Sequence, residues 1–195
     1  ADNPEFRADM IATLQSSVRK MNDLLARLSR GNGADAHPSG ALALQPVVAS
    51  VAELKRRVHP LEFVAEPGVE ALADAARLEQ ALTHLVQNAI DASPEGVPVR
   101  IAITSRDREA IIEIADRGSG MSAEFIRTRL FQPFASTKEG GFGIGAFEAR
   151  TLVMAMGGRL EVDSREHEGT CFTIFLPAAQ AAAGPHQRQD ERISA

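Results

Sequence analysis

The run Asp74-Ala75-Ala76-Arg77-Leu78-Glu79-Gln80-Ala81-Leu82-Thr83-His84-Leu85-Val86-Gln87-Asn88-Ala89-Ile90-Asp91-Ala92-Ser93 has two faces at helical spacing. Leu78, Leu82, Leu85 and Ala89 share one side, while Gln80, His84, Asn88 and Asp91, spaced four, four and three apart, form a polar stripe opposite it. Taken alone, such a stripe is compatible with a solvent-facing side. Yet the long, flexible Lys and Glu usual on that side are absent between Gln80 and Asp91. An amide together with a carboxylate suits a hard cation and its waters better than bulk solvent.

Outward from this helix the periods alternate. Downstream, 97–105 and 110–116 read as strands joined by the charged turn Arg106-Asp107-Arg108-Glu109, with Ile112 and Ile114 facing one way and Glu113 the other. A helix from Ser122, a Gly-rich loop, a helix over 145–156 and strands over 159–164 and 170–176 follow. Upstream, Pro46 starts a helix over 47–58, and 62–66 and 69–73 read as short strands. The expected fold is α+β: a two-layer sandwich of a mixed, mostly antiparallel sheet with helices on one face. It occupies 42–177, between a linker at 31–41 and a tail at 178–195 without periodicity. Before the linker, Ile11, Leu14, Val18, Met21, Leu25 and Leu28 recur every three or four residues, the narrow seam of one long helix over 1–30 that pairs with another helix.

Composition narrows the classes. At 44% hydrophobic and 24% charged, the chain reads as globular. Its net charge of -5 argues against a non-specific nucleic-acid surface. One cysteine, Cys171, rules out an internal disulfide, and we read it as a small core residue on an alternating strand. No apolar run approaches the roughly 20 residues that span a bilayer, so we expect no direct membrane contact. The chain opens on Ala1 and is read as a piece of a longer protein. Aromatic residues are only 5%, all of them Phe, and Phe125, Phe131, Phe134, Phe142 and Phe147 cluster in one stretch, leaving the main core to Ala, Val, Ile and Leu.

Two further stretches carry chemistry. Asp116-Arg117-Gly118-Ser119-Gly120 closes a strand: glycines there permit sharp turns and close approach to a ligand, and the carboxylate can accept from an exocyclic amine. Gly140-Gly141-Phe142-Gly143-Ile144-Gly145 runs straight into a helix, where freed backbone amides make an anion site suited to phosphate. Just upstream, Ser136, Thr137 and Lys138 supply two hydroxyls and a cation. No Gly-Lys-Ser/Thr follows, so this is not a Walker loop, and the glycine spacing is not the Rossmann fingerprint.

Together, in this order, the motifs resemble the ATP-binding domain of sensor histidine kinases, within the superfamily of gyrase, Hsp90, histidine kinases and MutL. His84 to Ala92 resembles the N box, Asp116-x-Gly118-x-Gly120-Met121 the first glycine box, Phe131-Gln132-Pro133-Phe134 with Ser136-Thr137-Lys138 the F box, and Gly141-Phe142-Gly143-Ile144-Gly145 the second glycine box. Gly169-Thr170 resembles the closing Gly-Thr box. Ala146-Phe147-Glu148-Ala149-Arg150, with Ala146 in place of the commoner Leu, is similar to the kinases of PEP-CTERM systems.

The resemblance implies ATP and Mg²⁺ as cofactors. Asn88 would ligate the metal, with His84 beside it and Asp91 toward the ribose–phosphate side. Asp116 would read the adenine amine, Gly118, Gly120 and Met121 would pass close to the base, and Thr170 would join them. Phe131, Phe134 and Phe142 would belong to a lid, Lys138 would reach the terminal phosphate, and Gly141, Gly143, Ile144, Gly145 and Ala146 would meet the phosphates. Gyrase-like relatives place a Glu where this chain has His84, so phosphoryl transfer is expected over hydrolysis, with Asn88, Lys138 and His84 as the catalytic set.

The histidines are 37, 59, 84, 167 and 186, and only His167 precedes an acid, in an expected turn. No phosphoacceptor is therefore expected in this chain. The helix 1–30 reads as the second helix of a dimerisation hairpin, implying a homodimer, a response regulator receiver domain as partner, a cytoplasmic location and a parent anchored in the inner membrane. A non-catalytic ATP-sensing or dimerisation module and a Ser/Thr kinase of the anti-sigma-factor type are the alternatives.

Overall fold

The computed structural model describes residues 40–135 and 143–179. The expected helix 1–30, the linker to 39, the segment 136–142 and the tail from 180 lie outside the described residues. In chain order the structure runs β1 (Gly40–Ala43), α1 (Leu44–Arg56), β2 (Leu61–Ala65), β3 (Glu70–Ala73), α2 (Ala75–Ala92), β4 (Val99–Arg106), β5 (Glu109–Asp116), α3 (Ala123–Thr128), α4 (Gly145–Ala155), β6 (Arg159–Arg165) and β7 (Gly169–Pro177).

Five strands form one sheet in the order β2-β4-β5-β7-β6, with β2 parallel to β4 and every other pair antiparallel. The strand parity read from the sequence sets its two faces. Ile101–Ile114–Phe172–Val162 and Ile103–Ile112–Ile174–Leu160 are rows of register partners on the inner face, against α1, α2 and α4. Apart from Phe172 and Met156, the buried apolar core is Ala, Val, Ile and Leu, as the aromatic-poor composition implies. On the outer face, Arg159 lies 3.7 Å above the Phe175 ring and pairs with Glu109 and Glu161.

Cys171 sits on that outer face, half-buried, and is not a core residue. Phe172, Ile174 and Leu176 outweigh Cys171, Thr173 and Phe175 in buried apolar surface, so parity turns the thiol outward. Partial burial raises its pKa, so the group has less thiolate character than an ordinary cysteine.

Helix α2 begins where its sequence says it should. Asp74 caps it, accepting the Arg77 N–H at 2.8 Å, and Ser93 ends it, its N–H donating to Ala89 O and Ile90 O. Leu78, Leu82 and Leu85 are wholly buried, and each Leu→Ala change there is worth about 2–5 kcal/mol. Helix α1 starts at Leu44, three residues before the expected Val47. Pro46 therefore falls in its first turn, where a missing N–H costs no helical bond.

A short second sheet was not expected. Gly40–Ala43 lies within and beside the stretch read as linker, yet it pairs antiparallel with β3 from Gly40↔Ala73 to Ala43↔Glu70. On the same strand, Ala178 bridges Ala71 and the Ala179 N–H donates to Glu70 O.

Candidate functional site

The sheet's inner face turns polar at one end. Beyond the Ile114–Phe172–Val162 row the next partners are Asp116, Thr170 and Ser164, on β5, β7 and β6. Asp116 and Thr170 are the buried polar side chains among the described residues, each 7% exposed. A carboxylate and a hydroxyl are costly to bury without a partner, so their adjacency marks a built feature.

A glycine turn covers this row. The Gly118 N–H donates to Asp116 Oδ1 at 2.8 Å, and the Met121 N–H donates to Ser164 Oγ at 2.9 Å. A side chain at Gly118 would meet Ala92 O of α2 at 2.1 Å. At Gly120, where φ is +63°, it would meet Arg165 O at 1.8 Å. The backbone thus passes α2 and β6 at distances only glycine allows. The turn after β6 closes the other side, with the His167 N–H donating to Ser119 O at 2.7 Å. His167, the histidine that precedes an acid, therefore lies in the expected turn.

The second cluster lies one to two turns up α2. His84 and Asn88 are half-buried and face the first turn of α4, whereas Gln80 and Asp91 are exposed. A Cβ at Gly145, the first residue of α4, would stand 3.4 Å from Asn88 Nδ2, 3.5 Å from Asn88 Oδ1 and 3.7 Å from His84 Cβ. His84 Nε2 lies 2.9 Å from Glu148 Oε2, with the two side chains only 23% and 15% exposed. Asn88 thus presents its amide at a helix N-terminus, whose first N–H groups have no intrahelical acceptor and favour negative charge. Asp91 is held along the helix: Lys55 Nζ donates to Gln87 Oε1, and Gln87 Nε2 donates to Asp91 Oδ1, both at 2.7 Å.

At a rise of about 1.5 Å per residue, Asn88 and His84 stand roughly 6 and 12 Å along α2 from Ala92, which touches the glycine turn. The buried polar row and the half-buried Asn88 cluster therefore share one helix as their rail. Residues 129–135 border the second cluster: Arg150 of α4 lies 4.7 Å over the Phe131 ring, and Phe134, with φ of +67°, is exposed. Ala135 and Gly143 approach one another closely, since a Cβ on Gly143 would stand 2.4 Å from Ala135 C.

Residues 73–180, just over half of the chain, match the family described as histidine kinase-, DNA gyrase B- and HSP90-like ATPases. The chain belongs to this family. Within it, the relatives place this ATPase domain with the histidine kinases. It is 30% identical over 171 residues to the sensor protein FixL of Bradyrhizobium diazoefficiens, covering 83% of the chain and 32% of that protein. It is 34% identical over 184 residues to the C4-dicarboxylate transport sensor protein DctB of Rhizobium meliloti, covering 88% and 28%. The chain thus spans about a third or less of these relatives. Among solved structures, full-length ShkA in complex with AMPPNP aligns with a TM-score of 0.71 at 26% identity, covering 94% of the chain and 41% of that one. The mycobacterial sensor histidine kinase MprB aligns with 0.65 at 26% identity, covering 72% and 97%.

The structure of this histidine-kinase-type domain brings the expected residues together in two groups: Asp116, Gly118, Gly120, Met121 and Thr170 in one, His84, Asn88, Ile144, Gly145 and Ala146 in the other. Ser136, Thr137, Lys138, Gly141 and Phe142 lie outside the described residues. Sequence reasoning gave no role to Ser164, Gln87 or Glu148. For Ser164 a signal existed: it occupies the inward position of a strand that alternates through Leu160 and Val162. For Glu148 there was none, because its contact with His84 spans two helices 64 positions apart in the chain.

Proposed function

We propose that this domain binds Mg-ATP and passes the γ-phosphoryl group to a histidine on a separate dimerisation helix, as the catalytic part of a two-component sensor kinase. The observation that carries this reading is the pairing of the buried Asp116–Thr170 row with the Asn88 amide at the start of α4, strung along one helix. Asp116 and Thr170 would take the adenine edge, the first turn of α4 would take the phosphates, and Asp91 would lie toward the ribose.

The donor set fits Mg²⁺. No group of three or more His, Cys, Asp or Glu able to hold a metal occurs among the described residues, whereas Asn88 offers one hard oxygen where phosphates would arrive. Mg²⁺ favours that arrangement, one or two protein ligands completed by waters and substrate phosphates. When bound, the ion neutralises charge that develops on the phosphoryl oxygens.

His84 stands where a hydrolytic base would be expected. Its Nε2 faces Glu148 on α4, so the ring braces the two helices, and transfer to an external acceptor is favoured over attack by water. His59 and His167, in a loop and a turn, do not supply an acceptor on a helix. The long helix 1–30 would then belong to a dimerisation hairpin, a receiver domain would take the phosphoryl group onward, and the domain would work in the cytoplasm of a membrane-anchored parent. None of the described helices is long and apolar enough to cross a membrane.

Titration calorimetry with Mg-ATP tests the first half. Micromolar binding is expected, lost in Asn88→Ala and Asp116→Asn. Incubation with a separate fragment bearing an acceptor helix and radiolabelled ATP should then yield an acid-labile phosphohistidine. Binding without transfer would leave a nucleotide-sensing module, and acid-stable label on a protein partner would point to a Ser/Thr kinase.

A further inference from the structure

Ser164 makes three short contacts. Its Oγ lies 2.9 Å from Met121 N, 2.9 Å from Gly169 O and 2.8 Å from Thr170 Oγ1. A serine hydroxyl has one proton and two lone pairs. The Met121 N–H can only donate, so it occupies one lone pair. The Gly169 carbonyl can only accept, so it takes the single proton. The lone pair that remains can only receive, and Thr170 Oγ1–H is the group that reaches it. The three contacts close in this one way, which fixes the direction of the Thr170 hydroxyl.

We infer that Ser164 is a positioning residue that turns Thr170 into an acceptor, and that this polarity lets the slot discriminate between 6-amino and 6-oxo purine nucleotides. Thr170 is 7% exposed and pairs in register with Asp116, whose Oδ1 accepts from Gly118. With its proton committed to Ser164, the Thr170 hydroxyl offers only lone pairs to a bound base. The floor then presents an acceptor beside a carboxylate, two groups to which the amine of an adenine edge can donate, directly or through a water. A 6-oxo base would bring a further acceptor to the same place, and a site built for a donor rejects an analogue without it far more strongly than an apolar site does. Without Ser164, the Thr170 hydroxyl is released to rotate and donate to an oxo group.

The inference rests on the reading of this end as the base site, and the test separates the two. The comparison is the affinity of the chain for Mg-ATP and for Mg-ITP, which differ at the 6-position edge. Wild-type chain that binds neither nucleotide overturns the function proposed above. If it binds ATP in preference to ITP, Ser164→Ala should narrow that preference about tenfold, while Ser164→Thr, which keeps the hydroxyl, should hold it. In a Thr170→Val background, Ser164→Ala should narrow it no further, because the effect runs through Thr170. A preference unchanged in Ser164→Ala, or an equal narrowing in the Thr170→Val background, overturns the inference while ATP binding stands. Should Ser164→Ala fail to fold, NMR of the wild-type chain decides: a slowly exchanging Thr170 hydroxyl proton close to Ser164 is expected, and one exchanging too fast to observe overturns the assignment.

Discussion

The two ends of the candidate site are built by different physics. At the Asp116 end, strand register does the positioning: Asp116, Thr170 and Ser164 are successive partners across β5, β7 and β6, and backbone of the glycine turn presses against Ala92 and Arg165. At the Asn88 end, two helices meet and hold their polar groups through side chains, with the His84–Glu148 contact and a half-exposed amide. A sheet row can hold a flat, rigid group in one pose. A helix-to-helix junction can adjust, as the cation, phosphate oxygens and acceptor of the proposed function would require.

The glycines should break this contrast most visibly. Gly120→Ala puts a Cβ 1.8 Å from Arg165 O at a left-handed φ, and is expected to lower urea-unfolding stability by about 3 kcal/mol or more. Gly145→Ala meets only side-chain atoms, at 3.4 Å and beyond, within a helix. Its stability should change by less than about 1 kcal/mol while Mg-ATP binding weakens, because the new methyl sits against Asn88. Equal losses of stability at the two ends would erase the distinction.

Asn88→Ala comes next. It should cut Mg-ATP affinity about 100-fold in calorimetry, as loss of a charged-group contact worth about 3 kcal/mol implies, and leave the unfolding midpoint nearly unmoved. Glu148→Ala should cost about 1–2 kcal/mol of stability through the half-buried His84 left behind, with a smaller loss of ATP affinity than Asn88→Ala. Cys171, beside Thr170 in the chain but on the opposite face of the sheet, gives the smallest effect. Because burial raises its pKa, less thiolate is present at a given pH, so iodoacetamide should label it more slowly at pH 8 than in the urea-unfolded chain. Equal rates would contradict its placement against the sheet.

Much of the molecule could be read before it was seen, and the exceptions have physical causes. Helix α2 was legible because its cap, its leucine face and its polar stripe agree with one another. The five-stranded sheet was legible because β4 and β5 carry Ile101, Ile103, Ile112 and Ile114 at every second position. Strand β1 was not: Gly40–Ala43 has no β-branched residue and exists because β3, thirty residues on, offers it a partner. Of the site, the motif residues were evident, but the His84–Glu148 brace and the Ser164 contacts depend on packing and register. Cys171 was misplaced because β7 carries apolar residues on both parities, so the bulk of Phe172, Ile174 and Leu176 decides its orientation.

The short strand β3 also has a mechanical consequence. The chain comes in along β1 on one side of β3, and where it leaves Ala178 bridges Ala71 and the Ala179 N–H donates to Glu70 O. At about 4.8 Å between neighbouring strands, the two tethers lie roughly 10 Å apart across a single strand. Tension applied between them is met first by this small ladder, which can peel like a seam while the β5–β7–β6 row that carries Asp116, Thr170 and Ser164 keeps its register. Load that outlasts the ladder enters the sheet where Pro177 pairs with Glu109, seven residues along β7 from Thr170.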